Sequence, residues 1–378
     1  MKIVIAPASY KGSITNIEAS EVMKKASKKV FPSAELVVFP LADGGEGTID
    51  VVKMLTGGRF FFEDVSDPVG RKRRCKWLKK GDTAYIEMAQ ASGLTLLKES
   101  ERNPLKTTTY GTGELIKSAV LSGCNKIFIG AGGSATNDGG IGALTALGIK
   151  FFDRKGKVIY PGRGEDLIKI KEIEISGMMP ELGRCKFTVL SDVYNPLYGR
   201  EGAAYVYAPQ KGASEKDVKV LDEGLRNYNE IVKKITGVDI NGIKGSGAAG
   251  GIAGSFVAFL GAEIISGIKT ILEMGAFEEK LKGADLLLTG EGRVDIQTFY
   301  GKSIGVVSDI CRRYNVPVVI LAGSVDISIC RNKALKNAII LSVSPCAMSI
   351  EEVMKKGKTY LFHITEQVLK IYRYAGKS

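Results

Sequence analysis

The sequence predicts an α/β protein: a Rossmann-like parallel-sheet domain assembled from both chain ends, a second α/β domain inserted into it, and an active site in the cleft. Three observations carry this. Short apolar runs alternate with segments of helical period near the start of the chain. The same rhythm returns after Ala284. Between them, strand-like runs follow one another with no helix in between, which marks a different layer. The implied boundaries are 1–62 with 268–378 for the first domain, and 63–267 for the inserted one.

Taken in order, residues 3–6 form a short apolar strand, and 7–13 a turn-rich loop. Residues 17–30 have helical period, with Thr15 or Asn16 as N-cap. A strand over 35–39 leads through a glycine-rich turn to a helix over about 47–55. Residues 60–65, 73–78 and 84–88 read as successive strands, turned at Asp67-Pro68 and Gly81-Asp82. Helix then returns at 113–122, strands at 126–130 and 187–190, a long polar helix at 215–235 with Ser214 as its cap, and a small-residue helix at 248–260. The closing βα series is strand 285–288, helix 304–314, strands 316–321 and 338–341, and helix 350–372.

Composition sets the class. The chain has 378 residues, enough to bury a large core without disulfide or metal staples. Lys and Arg total 53 against 41 Asp and Glu, a net charge of +12. The excess is dispersed, and its densest run, Arg71-Lys72-Arg73-Arg74, lies in a hairpin. No basic tract is interleaved with aromatics, so nucleic acid is not an expected partner. The six cysteines, Cys75, Cys124, Cys185, Cys311, Cys330 and Cys346, form no C-x-x-C pair and fit no zinc spacing. They suit a reduced, cytoplasmic protein. No apolar run reaches the length of a membrane span, and the first residues enter a strand rather than a signal peptide.

Of the 46 glycines, fourteen gather into four loops. These are Asp43-Gly44-Gly45-Glu46-Gly47, the run from Gly130 through Gly132-Gly133-Ser134 and Asn137-Asp138 to Gly140, the stretch Gly245 to Gly251, and Thr289-Gly290-Glu291-Gly292-Arg293-Val294-Asp295. Most adjoin a strand and lead towards a helix. Glycines there let backbone N–H groups approach an anion, and the next helix adds its dipole. One such loop is weak evidence; four with embedded carboxylates point to phosphate or nucleotide binding.

Familiar alternatives fail on detail. No G-x-x-x-x-G-K-[ST] occurs, so this is not a P-loop protein. The G-x-G-x-x-G spacing breaks at Ala135, which argues against a dinucleotide-dependent dehydrogenase. The one histidine, His363, sits in the last helix, so general-base work falls to a carboxylate or lysine. Lys11, between Ser9 and Ser13 after the first strand, is placed to hold an anion or to be a solvated loop lysine. Asp192, in Asp192-Val193-Tyr194-Asn195-Pro196, reads alternatively as the start of an Asx-turn. Pro209-Gln210-Lys211-Gly212-Ala213 reads as a turn before a helix cap, and Arg293 with Asp295, ahead of Gln297, as a structural ion pair.

In collinear order these pieces resemble the glycerate kinase family, in its bacterial type I, glycerate 2-kinase-like class. The resemblance runs from Lys2-Ile3-Val4-Ile5-Ala6-Pro7 to Leu321-Ala322-Gly323-Ser324. It takes in Pro40-Leu41-Ala42-Asp43-Gly44-Gly45-Glu46-Gly47, Gly111-Thr112-Gly113-Glu114, Gly132-Gly133-Ser134-Ala135-Thr136-Asn137-Asp138, Pro209-Gln210-Lys211-Gly212-Ala213, Gly247-Ala248-Ala249-Gly250-Gly251 and Thr289-Gly290-Glu291-Gly292-Arg293.

The resemblance implies two α/β domains, ATP with Mg²⁺, D-glycerate as the small-molecule partner and 2-phosphoglycerate as product. Neither nucleic acid nor membrane is implied; a homodimer is left open. On loop position and chemistry, Asp192, Lys11 and Arg293 are the candidate catalytic residues. Asp192 would stand near the acceptor hydroxyl, while Lys11 and Arg293 would neutralise phosphoryl or clamp carboxylate. Ser9, Asp43, Gly44, Gly45, Gly132, Gly133, Ser134, Asn137, Asp138, Gly250, Gly251 and Glu291 are the candidate substrate- and nucleotide-binding residues. Asp295 is the candidate metal ligand, with Asp43, Asp138 and Glu291 as further carboxylates for Mg²⁺.

One departure stands out. The family's first loop reads A-P-D-S-[FY]-K, and this chain has Ala8 in place of the Asp. That raises the alternative of a catalytically impaired nucleotide- or glycerate-binding protein of the same family.

Overall fold

The computed structural model describes residues 1–295, 298, 303–326, 329, 338–346 and 348–375. Cys330 and Gln297 lie outside them. The strands in chain order are β1 (Lys2–Ile5), β2 (Glu35–Val38), β3 (Arg59–Ser66), β4 (Lys72–Lys80), β5 (Thr83–Glu87), β6 (Lys126–Gly130) and β7 (Lys150–Asp153). They continue with β8 (Val158–Ile159), β9 (Ile170–Glu174), β10 (Lys186–Leu190), β11 (Glu263–Ile265), β12 (Leu286–Val294), β13 (Val318–Val325) and β14 (Ala338–Ser342). The chain divides into two compact units, one of Met1–Asp43, Asp50–Thr56 and Ile268–Ser378, the other of Gly44–Ile49 and Gly57–Gly267.

The first unit is built on a five-stranded sheet in the order β14-β13-β12-β1-β2, parallel throughout. Ile3, Val4 and Ile5 are all buried, as a strand covered on both faces requires. Counting only this unit's strands, the order is 2-1-3-4-5, the doubly wound arrangement whose direction reverses between β1 and β12. The helix Asn16–Val30 begins in a capping box, with Thr15 and Glu18 satisfying each other's backbone. Its Met23 and Val30 share a core with Leu361 and Leu369 of the helix Gly357–Ala375, and Lys29 pairs with Glu366 at 3.0 Å.

Two expectations for this unit are corrected. The strand from 285 does not stop at Leu288: β12 runs on to Val294, so Gly290, Glu291, Gly292 and Arg293 are strand residues paired with β13. The last helix is two helices, Ile350–Lys355 and Gly357–Ala375, because Lys356 leaves helical geometry and Ser349 caps the shorter one separately.

The second unit holds a six-stranded sheet, β11-β10-β6-β5-β4-β3. Its β3, β4 and β5 pair antiparallel, whereas β5, β6, β10 and β11 are parallel. Trp77, Phe187, Leu225 and Phe256 are among its core. The basic run at the start of β4 is matched by acids: Arg71 meets Asp67 at 2.5 Å and Glu101 at 2.7 Å, and Lys72 meets Glu114 at 3.1 Å. A small antiparallel sheet, β8-β7-β9, was not expected. The predicted helix at 248–260 starts only at Ile252, because Ala249, Gly250 and Gly251 have positive φ.

The described cysteines are all free, and burial pushes the Cys75 thiol up to about 11 and Cys311 up to about 12. No helix among the described residues is long and apolar enough to cross a membrane.

Candidate active site

In the first unit, the reversal of strand order places the loops after β1 and at the end of β12 side by side. The backbone continues the pairing beyond β1: Ala6 N donates to Leu288 O and Ala8 N to Gly290 O, both at 2.8 Å. Thr289 Oγ1 donates to Ala6 O at 2.6 Å. Tyr10 anchors the loop by donating its buried hydroxyl to Leu321 O at 2.7 Å. Burial, and the charge of Glu291, push that phenol well above its usual range. A side chain at Gly290 is excluded, since its Cβ would stand 2.2 Å from Tyr10 Oη and 2.1 Å from Leu321 O. Ser13 donates to Met354 O at 2.6 Å. Lys11 is exposed on this tethered loop and Ser9 half-buried in it.

Gly292 lies against the backbone of Tyr10 and Lys11, so Glu291 and Arg293 flank that loop. Thr298 Oγ1 donates to Glu291 Oε1 at 2.8 Å and accepts from Asp295 N at 3.1 Å, fixing the two acids around one hydroxyl. Arg293 is largely exposed, with Nε 3.5 Å from Asp295 Oδ2. Among the described residues no group of three His, Cys, Asp or Glu could hold a metal. One or two carboxylates suffice for Mg²⁺ that shares phosphate oxygens, so Glu291 and Asp295 fit that ion. Asp43 is exposed at the end of its segment.

In the second unit, four parallel strands end level: Glu87 pairs with Gly130, Gly130 with Leu190, and Leu190 with Ile265. Their carboxyl ends therefore present Ala131 to Ser134, Ser191 with Asp192, and Ser266 at one edge, the usual ligand edge of a parallel sheet. Ser266 Oγ donates to Asp192 Oδ1 at 2.5 Å, so the half-buried carboxylate is held in place. Gly132 N donates to Gly44 O at 3.0 Å, bringing two of the glycine loops together, with Gly45 against Gly132. Leu94 N donates to Gly133 O and Ala135 N to Ser92 O, each at 2.8 Å. The N–H groups of Gly133 and Ser134 have no partner among the described residues.

Behind this loop the polar groups are deeply buried. Asp138 Oδ2 accepts from Thr109 N (2.8 Å), Thr109 Oγ1 (2.7 Å) and Gly142 N (3.3 Å), and Oδ1 from Gly140 N at 3.1 Å. Burial raises its carboxyl above the usual range, and those bonds oppose the rise. A carboxylate so engaged serves the turn rather than a cation. Asn137 is fully buried, and neither end of its amide has a partner among the described residues; the Thr136 hydroxyl likewise has none. Gly250 packs on this turn, accepting from Gly139 N at 2.9 Å, and Gly251 sits beside Gly139.

Sequence reasoning missed Lys211. It is 3% exposed, and its Nζ donates to Ser134 Oγ at 2.8 Å and to Thr136 O at 2.6 Å. Burial pushes its ammonium down to about 7, with the Asp138 charge acting the other way. The stretch around it was legible as a turn, but nothing local marks that lysine as buried. Ser266 and Thr298 were missed for a like reason: their partners are distant or belong to an unforeseen turn. His363 is exposed on its helix.

The model of the glycerate kinase family matches residues 3–373. A glycerate 2-kinase of Escherichia coli K12 is 45% identical over 326 residues, covering 86% of this chain and 85% of that one. A glycerate kinase of Bacillus subtilis 168 is 42% identical over 365 residues, covering 96% and 95% respectively. A crystal structure described as a glycerate kinase 2 from Salmonella typhimurium LT2 superposes with a TM-score of 0.81 at 38% identity, over 100% of both chains.

Proposed function

The chain belongs to the glycerate kinase family, and from that premise we propose that it transfers the γ-phosphoryl group of ATP to a hydroxyl of D-glycerate, giving 2-phosphoglycerate. The observation that carries this reading is the edge where β6 and β10 end. There Gly133 and Ser134 offer unpaired N–H donors, and Asp192 stands one strand away in a fixed orientation.

Phosphoryl transfer asks a protein mainly for positioning and charge neutralisation. Gly133 and Ser134 bind phosphate oxygens, while Gly132, its N–H given to Gly44 O, lets the two glycine loops pack closely. Asp192 accepts the proton of the acceptor hydroxyl, its orientation set by the Ser266 hydrogen bond to Oδ1. Lys11 and Arg293 hold the anionic groups, and a guanidinium can grip a carboxylate through two parallel bonds. Glu291 and Asp295 would hold Mg²⁺, which when bound neutralises charge on the phosphate oxygens. The similarity to a protein named a glycerate 2-kinase supports the 2-phospho product. The free cysteines fit a cytoplasmic enzyme acting on a small molecule, with no role for nucleic acid or membrane.

A second reading rests on Ala8. Its backbone is engaged by Gly290, yet it brings no carboxylate to the loop where the family carries Asp. A binding protein with impaired turnover would look the same.

The test is ATP consumption with D- or L-glycerate and Mg²⁺, with products separated by NMR. D-Glycerate-dependent formation of 2-phosphoglycerate is expected. Binding of both ligands without turnover would favour the second reading. If neither enantiomer stimulates ATP consumption, in the native chain or in Ala8→Asp, the kinase assignment fails.

A further inference from the structure

Lys211 is a buried charge in the second unit that the proposed reaction leaves without a task. Its setting is specific. The ammonium is sealed under the loop that follows β6 and makes two hydrogen bonds, to Ser134 Oγ and Thr136 O. An ammonium can only donate, so Ser134 must accept, and its own O–H is turned away from Lys211. That O–H belongs to the residue whose own N–H, like that of the preceding Gly133, has no partner among the described residues. Three donors then lie on consecutive groups of a glycine loop, one of them polarised by a positive charge. Successive free N–H groups of this kind form an anion-binding concavity.

We propose that Lys211 is a positioning residue which, acting through the Ser134 hydroxyl, makes the loop at Gly133 and Ser134 an anion receptor. The inference rests on the kinase reading and deepens it. The ligand chemistry is an anionic oxygen group: the terminal phosphate of ATP or the carboxylate of glycerate.

The proton on Lys211 sets the direction of the relay. Neutral lysine has a lone pair and can accept from Ser134, which turns the hydroxyl inward and withdraws it from the anion. Asp138 is the charged group acting on the ammonium, and Arg102 packs beside the neighbouring Gly212 through its backbone. With the ammonium pushed down to about 7, affinity for the anion falls as pH rises through neutrality. Arginine stays charged throughout that range.

The experiment is calorimetric binding at pH 6 to 9 of a non-hydrolysable ATP analogue with Mg²⁺, and separately of D-glycerate. It compares the native chain, Lys211→Arg, Lys211→Met and Ser134→Ala, with thermal melts for each. One ligand should lose affinity on the order of tenfold in Lys211→Met and in Ser134→Ala, the scale of one charge-assisted contact. That ligand identifies the anion. Its alkaline weakening should be present in the native chain and absent in Ser134→Ala and Lys211→Arg. Should Lys211→Met fail to fold, Ser134→Ala carries the test, since it keeps the lysine and its bond to Thr136. The same pH dependence in the native chain and Ser134→Ala overturns the relay. Binding of neither ligand overturns it as well. Normal binding without turnover in the native chain would sink the kinase reading alone.

Discussion

Thr109 grips Asp138 Oδ2 twice, through its amide at 2.8 Å and its hydroxyl at 2.7 Å, while the same hydroxyl accepts from Ala143 N at 2.9 Å. The pair thereby joins the start of the helix Tyr110–Leu121 to the helix Ile141–Ala146. Asp138→Asn replaces an acceptor with an amide and strands buried donors. A loss of about 2 to 4 kcal/mol in urea unfolding is expected. Turnover per folded molecule should change little. Unchanged stability with abolished turnover would return Asp138 to the ligand-binding set.

Lys211 gives a pH signature in stability as well as in binding. Its folded-state value of about 7 lies below that of an unfolded lysine. Between the two, the unfolded chain holds the extra proton, so this residue's contribution to stability rises with pH. Its burial penalty is complete below the folded value and fades above it. The native chain should gain on Lys211→Met between pH 7 and 10, by at most about 1.4 kcal/mol per pH unit. Asp138 is common to both proteins and cancels. Parallel stability–pH curves would show that Lys211 titrates normally.

Asp192→Asn should slow turnover about a hundred-fold or more while the melt is preserved, as expected for a group acting on developing charge. Arg293→Ala should weaken handling of the anionic ligand with little effect on stability, since its ion pair is largely exposed. Steady-state kinetics beside a thermal melt separate chemistry from structure. If Asp192→Asn retains turnover, Asp192 is not the base, and Asp295 or Asp43 would take its place.

Two glycines with similar φ offer a controlled comparison. Gly250 has φ +75°, and a Cβ there would lie 2.3 Å from Thr136 O; Gly57 has φ +81° with nothing within 4 Å. Gly57→Ala should cost roughly 1 kcal/mol from backbone conformation alone. Gly250→Ala adds a clash with a packed turn and should cost about 2 to 4 kcal/mol. Equal losses in denaturant unfolding would mean that the turn at Thr136 yields.

Ala8→Asp tests the departure in the first loop. A rise in kcat without a change in melting would show that the loop lacks a useful carboxylate. No change would mean that Ala8 costs this chain nothing.

The apolar rhythm made much of both sheets legible. Runs such as Ile3, Val4 and Ile5 read as buried strands, and helix caps were legible at Thr15, one of two candidates beside Asn16, and at Ser214; the structure shows both to be capping boxes. Elements defined by exceptions were not. Residues 249–251 have positive φ inside a small-residue stretch that reads as helix, imposed by the turn they pack against. β7 and β9 are short and edged with charges, so their partners rather than their composition make them strands. The glycine loops and Asp192 were legible as candidates because chemistry and position coincide at strand ends. Lys211 was not, because its burial is decided by Ser134 and Thr136, some 75 residues earlier in the chain.

The split composition of the first sheet also governs how the molecule is made. β1 lies between β2 and β12, and β2 ends at Val38 whereas β12 begins at Leu286. A ribosome adding about 5 to 20 residues per second would leave β1 with an open flank for roughly 10 to 50 seconds. Before that interval ends the second unit can close its own sheet, since all its strands have emerged by Ile265. Vectorial synthesis therefore favours completion of the inserted unit first. The nascent β1–β2 pair, with Ile3 and Ile5 uncovered, is the segment on which a holdase would act.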